Sequence, residues 1–249
     1  MKLPESEKIQ IILLDIEGTT TPLAFVYDVL FPYAARELNA FIRRHFRDSE
    51  IRRFLESLRQ QRALDASLGL APPAWNDNSE VAEINSIAEY GRWLMKQDRK
   101  DSSLKSIQGL VWQEGYAAGE LRGQVYPDVP KALQRWREQG KAIYIYSSGS
   151  VLAQKLLFQS TEYGDLTGLL NGYFDTQVGA KTDPKCYRTI SAEIRCEPQQ
   201  VLFISDATGE LEAAESASMH TLLSVRPGNR PPQPAKFAVI RSFDEIFPG

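Results

Sequence analysis

Two acidic residues follow the first apolar segment of the chain at a spacing that suits catalysis. The aliphatic run of residues 11–14 ends at Asp15, and Glu17 lies two positions further on. Alternate side chains of an extended chain point to the same side, so the two carboxylates can face one site. A solvated turn is the simpler interpretation of an isolated Asp-x-Glu. The buried strand before it and the rigid Gly-Thr-Thr-Thr-Pro turn after it favour a functional one.

Further polar clusters occur at or near the ends of later apolar segments. They are Ser147 to Ser150, Gly179 to Lys181, and Ser205 to Glu210. Parallel strands share their carboxyl edge, so all of these clusters can converge with Asp15 in one crevice. Each signal is weak alone: Ser147, Ser148 and Asp206 could cap helices. Lys181 alone could be a solvated surface lysine, and only the whole ordered set is specific.

The chemistry of this set suits phosphoryl transfer from a monoester. An Asp15 nucleophile would divide a hard hydrolysis into two easier steps through an aspartyl-phosphate. Asp15 and Asp206 could hold Mg²⁺, which takes a few carboxylates and keeps its other positions for water and phosphate. Lys181 would add a positive charge. The Ser147 hydroxyl and the N–H groups around Ser148 at a helix start suit phosphoryl oxygens.

Glu17 suits proton transfer in the same reaction. A carboxyl group beside the nucleophile can protonate the leaving oxygen and then take a proton from water. Such a group works best when its pKa is raised toward the operating pH. The sequence therefore predicts Glu17 as the general acid and base.

Hydrophobic patterning predicts the elements that position these residues. Apolar segments at residues 11–14, 142–146, 172–176, 201–204, 221–225 and 237–240 are typical of strands, and residues 130–139, 151–158, 184–195 and 210–218 of helices. Strands alternating with helices form parallel sheets. The predicted fold class is α/β, with a Rossmann-like parallel sheet. Residues 226–235 form a predicted Pro-rich loop.

A long block without strand patterns separates the first strand from the others. Three- and four-residue spacing of apolar side chains predicts helices at about residues 26–46, 50–62, 79–94 and 104–121. The first strand then belongs with the C-terminal half. The predicted organisation is a core of residues 1–22 and 125–249 with an inserted all-helical domain of residues 23–124.

Composition excludes several classes of protein. A hydrophobic content of 43% over 249 residues is typical of a globular protein, and a net charge of −3 gives no reason to expect nucleic acid or an acidic membrane surface as a partner. No segment approaches the ~18–20 apolar residues that span a bilayer. His45 and His220 are the only histidines, which disfavours a His-based zinc site. With only Cys186 and Cys196 and no signal-peptide pattern, a cytoplasmic protein with reduced thiols is expected.

The motifs together resemble the haloacid dehalogenase superfamily of phosphatases. That superfamily usually has Asp at the second acid position of its first motif, where this chain has Glu17. With that departure, the string from Asp15 to Pro22 resembles the enolase-phosphatase branch of methionine salvage. Similar segments span nearly the whole chain, namely FVYDVLFPYA from residue 25, YPDV from 126, IYSSGS from 145, AQKLLF from 153, FDT from 174, GAK from 179 and VRPGN from 225.

The resemblance implies roles for the acidic residues. Asp15 would be the nucleophile and a ligand of Mg²⁺. Glu17 would be the general acid and base and would lend its backbone carbonyl to the metal. Asp206 would complete the magnesium site, and Glu210 would act on that site without binding the metal directly.

The resemblance also implies the substrate and the fold around it. Ser147 and Ser148 would bind the phosphate group and Lys181 would brace it. The small-molecule substrate would be 5-(methylthio)-2,3-dioxopentyl 1-phosphate, enolised and then dephosphorylated to 1,2-dihydroxy-5-(methylthio)pent-1-en-3-one. Glu17 and Lys181 are the candidates for the enolisation base. The protein would be a monomer with the helical insertion as a cap.

Aromatic residues at the start of the insertion are candidates for binding the methylthio tail. Phe25, Tyr27 and Phe31 follow directly after the Thr19 to Thr21 turn, although core packing explains them equally well.

Other functions stay open at this point. A plain phosphatase would use the same site without enolisation. A magnesium-independent dehalogenase would share the nucleophilic Asp15 but would not need Asp206. A binding module with a relic site would have lost the nucleophile or Lys181, and this chain has both.

Overall fold

The structure is a computed structural model that describes residues 5–99, 101–229 and 236–248. The chain forms two compact units. One, the sheet unit, comprises Met1–Val26 and Arg122–Gly249, and the other, the helical unit, comprises Tyr27–Leu121. The division into domains of residues 1–22 with 125–249 and of residues 23–124 stays a prediction.

A parallel sheet forms the centre of the sheet unit. Its strands are β1 Ile11–Leu14, β2 Ala142–Tyr146, β3 Gly172–Phe174, β4 Val201–Ser205, β5 His220–Ser224 and β6 Val239–Ile240. The strand order is β3-β2-β1-β4-β5-β6, and every neighbouring pair is parallel. This is the doubly wound order that binds ligands where the order of strands reverses, beside β1. The predicted α/β fold class with a parallel sheet is confirmed.

The α-helices follow the predicted pattern with shifted ends. In the described residues they are α1 Phe31–His45, α2 Ser49–Ser67, α3 Glu80–Lys96, α4 Ser102–Ala117, α5 Val129–Glu138, α6 Val151–Gln159, α7 Pro184–Glu193 and α8 Thr208–Ser216. Helix α2 runs five residues beyond its predicted end at residue 62. Its last turns keep strong helix formers such as Leu64 and Ala66, which the apolar spacing alone did not capture.

The central strands form because both of their faces are covered. Every residue of β1 and of β4 is buried, as expected for parallel strands between helical layers. On one face, the Tyr187 ring of α7 lies 5.1 Å from the Phe203 ring of β4 and 5.6 Å from the Tyr146 ring of β2. This packing fixes the carboxyl edge of the sheet against α7.

The described part of the helical unit contains helices and irregular segments without strands. Helix α1 buries one stripe of its surface, formed by Tyr33, Ala34, Leu38, Phe41 and Ile42. The Ser79 hydroxyl caps α3 by accepting a hydrogen bond from the Ala82 N–H at 3.2 Å.

The aromatic residues proposed to bind the methylthio tail differ in exposure. Phe25 is only 1% exposed, whereas Tyr27 is 55% exposed. The Tyr27 and Phe31 rings lie 5.9 Å apart. Phe25 is therefore a packing residue, and Tyr27 is the one of these side chains that presents most of its surface.

None of the helices in the described ranges is long and apolar enough to cross a membrane. The predicted Pro-rich loop lies partly outside the described residues, because residues 230–235 fall in the gap before residue 236.

Candidate active site

The site is built around Asp15 at the carboxyl end of β1. Strand β1 lies between β2 and β4, with Leu14 paired to Ile145 on one side and to Ile204 on the other. The Asp15 N–H donates to the Ile204 carbonyl at 3.0 Å, so sheet pairing continues to the acidic residue itself. Asp15 is 4% exposed. Its carboxylate is thus held at the middle of the ligand-binding edge.

A tight turn, Gly18–Thr21, follows Asp15 and is called the catalytic turn below. The Ile16 carbonyl accepts hydrogen bonds from the N–H groups of Thr19, Thr20 and Thr21. Gly18 has a φ of +68°, and a Cβ atom there would lie 2.3 Å from the Asp206 carboxylate. Glycine is required here both by conformation and by the contact. The carboxyl group at the end of β4 therefore lies directly against the catalytic turn.

Lys181 joins Asp15 through space across a long sequence separation. Its Nζ donates to Asp15 Oδ1 at 2.5 Å and lies 2.6 Å from Glu210 Oε2. The Ser205 hydroxyl donates a hydrogen bond to Glu210 Oε2 at 2.8 Å and lies 3.5 Å from Asp15 Oδ2. The predicted convergence of Asp15, Lys181 and Glu210 is thus present in the structure.

The backbone around Lys181 is irregular, and tyrosine side chains hold it in place. The Tyr187 hydroxyl donates to the Lys181 carbonyl at 2.8 Å, and the Tyr146 hydroxyl donates to the Gly179 carbonyl at 3.1 Å. The Lys181 Nζ also lies 5.5 Å from the centre of the Tyr146 ring. The packing of α7 against the sheet therefore also positions Lys181.

Negative charge exceeds positive charge in this cluster. Burial raises the pKa of Asp206 to about 7, and the charges of Asp15 and Glu210 add to the rise. Burial and the charge of Asp15 likewise raise the pKa of Glu210 to about 7, against the opposing effect of Lys181. Burial alone would lower the pKa of Lys181, but the carboxylates of Asp15 and Glu210 hold it above its ordinary value. Lys181 is therefore a charged ammonium group.

Glu17 lies at the entrance to the catalytic turn. Its backbone forms an isolated bridge with Thr21, and its side chain is half-buried. Its charge contributes to the raised pKa of Asp206. The acid is therefore close enough to the cluster to act electrostatically on it.

The serines at the end of β2 have a different local role from helix capping. The hydroxyl that caps α6 belongs to Ser150, which accepts from the Ala153 N–H at 3.3 Å. Ser147 is 2% exposed, and its hydroxyl accepts from the Gly149 N–H at 3.1 Å, which closes a small turn. Ser148 is half-buried. The capping alternative for Ser147 and Ser148 was wrong, because the cap is Ser150, three residues after the first and two after the second.

The donor set fits a hard divalent cation. Within the described residues, no group of three His, Cys, Asp or Glu side chains is arranged as a complete metal site. Mg²⁺ does not need one, because it commonly takes one or two carboxylates and completes its shell with water and phosphate oxygens. Lys181 pairs with Asp15 and Glu210 and acts on Asp206 only through its charge, so a cation beside Asp15 and Asp206 would offset the excess negative charge of the three carboxylates.

Ser205 is a site residue to which the sequence analysis gave no role. Its hydroxyl accepts from the Ala207 N–H at 3.1 Å while it donates to Glu210. A polar residue at the last position of a wholly buried strand was the available signal. It was missed because Asp206, the next residue, explained the polar end of the strand by itself.

Comparisons with known proteins agree with this architecture. The chain matches the haloacid dehalogenase-like hydrolase family over residues 9–218. It is 46% identical over 246 residues to the enolase-phosphatase E1 of Synechococcus elongatus, which covers 99% of this chain and 100% of the relative. The enolase-phosphatase E1 of Xenopus tropicalis is 43% identical over 89% of this chain and 86% of its own length. The crystal structure of the UTR4 protein of Saccharomyces cerevisiae has a TM-score of 0.77 at 33% identity, covering 96% of this chain and 100% of that chain.

These similarities extend over both ends of the chain and the segment between them. The range matched to the hydrolase family includes Asp15, Lys181 and Asp206. Identity of 46% along nearly the whole of two chains confirms the resemblance drawn from the motifs. The chain therefore belongs to the haloacid dehalogenase-like hydrolases and, within them, to the enolase-phosphatase E1 family.

Proposed function

We propose that this chain is an enolase-phosphatase of methionine salvage. It enolises 5-(methylthio)-2,3-dioxopentyl 1-phosphate and then hydrolyses the phosphate ester to 1,2-dihydroxy-5-(methylthio)pent-1-en-3-one. The observation that carries the proposal is the buried Asp15–Lys181 pair of 2.5 Å at the sheet edge, in a chain 46% identical over its length to a curated enolase-phosphatase E1. The protein acts as a cytoplasmic monomer on a small phosphate ester.

The phosphatase half runs through Asp15. A carboxylate oxygen of Asp15 attacks phosphorus, and the bond between phosphorus and the substrate oxygen breaks. Glu17 gives a proton to that leaving oxygen. It then takes a proton from water, whose oxygen attacks the aspartyl-phosphate and releases inorganic phosphate with Asp15 restored. One residue can serve both steps because the proton it loses in the first is regained in the second.

Lys181 and the β2 serines bind the phosphoryl group. The Lys181 ammonium lies against the nucleophile and offers positive charge to the phosphoryl oxygens, which weakens repulsion between two anions. The hydroxyls of Ser147 and Ser148 bind the same oxygens. Their position just before α6 supports this role, since the N–H groups at a helix start attract anions and Ser150 supplies the cap.

Mg²⁺ is the proposed cofactor. Asp15 and Asp206 provide carboxylate oxygens, and Glu17 provides its backbone carbonyl. Glu210 supports the site through Lys181 and Ser205. When bound, the ion supplies the positive charge that an anionic nucleophile and an anionic phosphate need to approach each other.

The enolase half requires a base at the carbon that bears the phosphate. A carbonyl beside that carbon makes its hydrogens acidic, and a fixed cation stabilises the enolate oxygen. Lys181 lies between two carboxylates and carries its full complement of protons, so it suits the enolate oxygen rather than the proton. Glu17 is therefore the proposed base.

A substrate with two deuterons on the phosphate-bearing carbon tests the proposal. Enolisation breaks one bond from that carbon to deuterium, so early product analysed by mass spectrometry should keep one deuteron. Enzyme-free hydroxy-diketone is the control for spontaneous exchange. Product with both deuterons would reduce the function to a plain phosphatase.

A panel of small phosphate esters, assayed with and without Mg²⁺, tests the other half. We expect phosphate release that depends on Mg²⁺ and is fastest with the diketone ester. No phosphate release from any ester would contradict the phosphatase assignment itself.

A further inference from the structure

Two side chains that are distant in sequence hold the backbone carbonyls of the catalytic turn. The Gly18 carbonyl accepts from Asn229 Nδ2 at 2.9 Å, and the Thr19 carbonyl accepts from Arg226 Nε at 3.1 Å. Both donors belong to the VRPGN segment, to which the proposed chemistry gives no role. Carbonyls of neighbouring turn residues are thus held by side chains more than two hundred positions away, with separations of 211 and 207 residues.

Arg226 is itself rigidly held. It is 4% exposed, and its NH1 donates to Asp128 Oδ2 at 2.7 Å and to the Arg241 carbonyl at 3.0 Å. Its guanidinium lies 4.8 Å from the centre of the Tyr126 ring and 4.4 Å from that of Phe243. A planar group with several fixed donors suits this arrangement, and a lysine cannot reproduce it.

The YPDV segment contributes to the same support. Asp128 anchors Arg226, and the Tyr126 N–H donates to the Thr20 carbonyl at 2.9 Å. The Tyr126 hydroxyl donates to the Pro227 carbonyl at 3.3 Å, which ties the two segments together. The YPDV and VRPGN segments, which have no role in the proposed chemistry, therefore both contact the catalytic turn.

The orientation of Asn229 follows from its surroundings. Its Nδ2 faces the Gly18 carbonyl and lies 3.5 Å from the Ser224 carbonyl, so the amide nitrogen is the atom that suits this position. The Ser224 hydroxyl also donates to the Gly18 carbonyl, at 3.3 Å.

Movement of the catalytic turn would displace both Asp15 and Asp206. Gly18 is in contact with the Asp206 carboxylate, where even a Cβ atom has no room. The Thr20 hydroxyl donates to the Asp15 carbonyl at 3.2 Å. The turn therefore acts as a spacer between the end of β1 and the end of β4.

We propose that Arg226 and Asn229 are positioning residues that set the spacing of Asp15 and Asp206 through the catalytic turn. Arg226, anchored on Asp128, fixes the turn at Thr19, and Asn229 fixes it at Gly18. They act on turnover and on Mg²⁺ affinity, and substrate affinity is nearly unaffected. The inference rests on the proposed function, because Mg²⁺ and the nucleophile share this site.

Arg226→Lys and Asn229→Ala test the inference. A shift of about 1 Å in a reacting group can lower kcat about a hundredfold, so we expect kcat to fall by about 10- to 100-fold with KM within about threefold of the wild type. Calorimetric titration should show Mg²⁺ affinity lowered about tenfold, as is typical when groups that orient metal ligands are removed.

Arg62→Lys is the matched control. Arg62 is half-buried and likewise donates to a backbone carbonyl, that of Pro73, from its Nε at 3.1 Å and from its Nη2 at 2.6 Å. That carbonyl does not belong to the catalytic turn. The control should lower the melting temperature while kcat and Mg²⁺ affinity stay at wild-type values.

The outcomes separate this inference from the proposed function. Wild-type kcat and Mg²⁺ affinity in both folded variants would overturn the inference, and so would equal losses in Arg62→Lys. If Arg226→Lys does not fold, Asn229→Ala decides alone. A wild type that binds Mg²⁺ but releases no phosphate overturns only the proposed function, because the calorimetric comparison remains. A wild type that binds no Mg²⁺ overturns the inference.

Discussion

The two units each bury a charged cluster, and they balance its charge differently. In the helical unit, Asp65 is fully buried and accepts from the Tyr90 hydroxyl at 2.7 Å and from Gln61 Nε2 at 2.9 Å. It also pairs with Arg99. Burial alone would raise the pKa of Asp65, but the hydrogen bonds from Arg99, Tyr90 and Gln61 outweigh burial and hold the pKa below its ordinary value.

In the sheet unit, the buried cluster is unbalanced in charge, because the carboxylates of Asp15, Asp206 and Glu210 lie near only one ammonium group, that of Lys181. Lys181 forms ion pairs with both Asp15 and Glu210, and neither of these pairs includes Asp206. Burial and neighbouring charges raise the pKa of Asp206 to about 7. A cluster that only stabilises a fold can be neutralised by its own residues, as at Asp65. The cluster proposed to hold Mg²⁺ instead keeps an excess of negative charge that a bound cation would neutralise, and this excess lowers stability while no cation is bound.

The largest effect is expected for Asp15→Asn in the sheet unit. Phosphate release should fall by at least about a thousandfold, because the amide cannot act as the nucleophile. The fold should persist, since Asn has the same shape and Lys181 keeps Glu210 as a partner. Asp183→Asn is the control, because Asp183 caps α7 at an exposed position and Asn caps equally well. Activity of Asp15→Asn within about tenfold of the wild type would exclude Asp15 as nucleophile.

Asp65→Ala tests how much the balanced cluster of the helical unit contributes to stability. Removing one partner of a fully buried pair costs about 3–5 kcal/mol. Arg99 is 32% exposed and can hydrate, so we expect a loss of about 2 kcal/mol in the free energy of unfolding by urea. Asp77→Ala is the matched control, because Asp77 pairs with Arg59 at the surface and should change stability by less than about 1 kcal/mol. Equal losses in the two variants would show that burial of Asp65 does not increase its contribution to the free energy of unfolding.

Addition of Mg²⁺ should distinguish the two clusters, because only the unbalanced cluster of the sheet unit should respond to it. At ten times its dissociation constant, the ion should stabilise the wild type by about 1.4 kcal/mol, or roughly 3–5 °C in melting temperature. Asp206→Asn should lose this response. Without Mg²⁺ it should be at least as stable as the wild type, because one crowded carboxylate is gone. Sodium chloride at matched ionic strength is the control, and an unchanged response in the variant would remove Asp206 from the metal site.

His45 provides the smallest effect, a pH dependence in the helical unit. Its ring nitrogens lie 2.7 Å from Asp48 Oδ2 and 2.7 Å from Glu114 Oε1. Burial alone would lower the pKa of His45, but the hydrogen bonds to Glu114 and Asp48 hold it above its ordinary value. A raised pKa in the folded state means that the stabilisation is complete below about pH 6.5 and is lost as the pH rises through the folded pKa.

His45→Gln measures that contribution. We expect the variant to be less stable than the wild type by up to about 1 kcal/mol in acid, since the partners are partly exposed, and the difference to shrink in base. Glu114→Gln should reduce the same pH dependence by removing one partner. A difference that grows with rising pH would contradict the assignment.

The sequence predicted the sheet well because strand burial is a local property. The runs at β1, β2 and β4 are apolar on both faces, and their ends are marked by polar residues. The common carboxyl edge of parallel strands then brought Asp15 and Asp206 to one place without any coordinates. The motifs likewise carried the family resemblance.

The choice among neighbouring hydroxyls was less predictable. Ser147, Ser148 and Ser150 have the same type and nearly the same position, and only the backbone torsions before α6 decide that Ser150 is the cap. Ser205 was missed for a related reason, because its bond to Glu210 spans a strand end and a helix start. Such assignments depend on side-chain direction at the ends of elements, which periodicity does not encode.

The strands, the helical block, the family and the acids at the sheet edge could all be predicted from the amino-acid sequence, since each depends on local pattern or on motif identity. The tertiary structure alone decided that Lys181 pairs with both Asp15 and Glu210, that Gly18 touches Asp206, and that Arg226 supports Thr19. These contacts join residues up to 207 positions apart. Their geometry depends on how whole layers pack, because no local preference specifies a distance between segments that meet only in the folded chain.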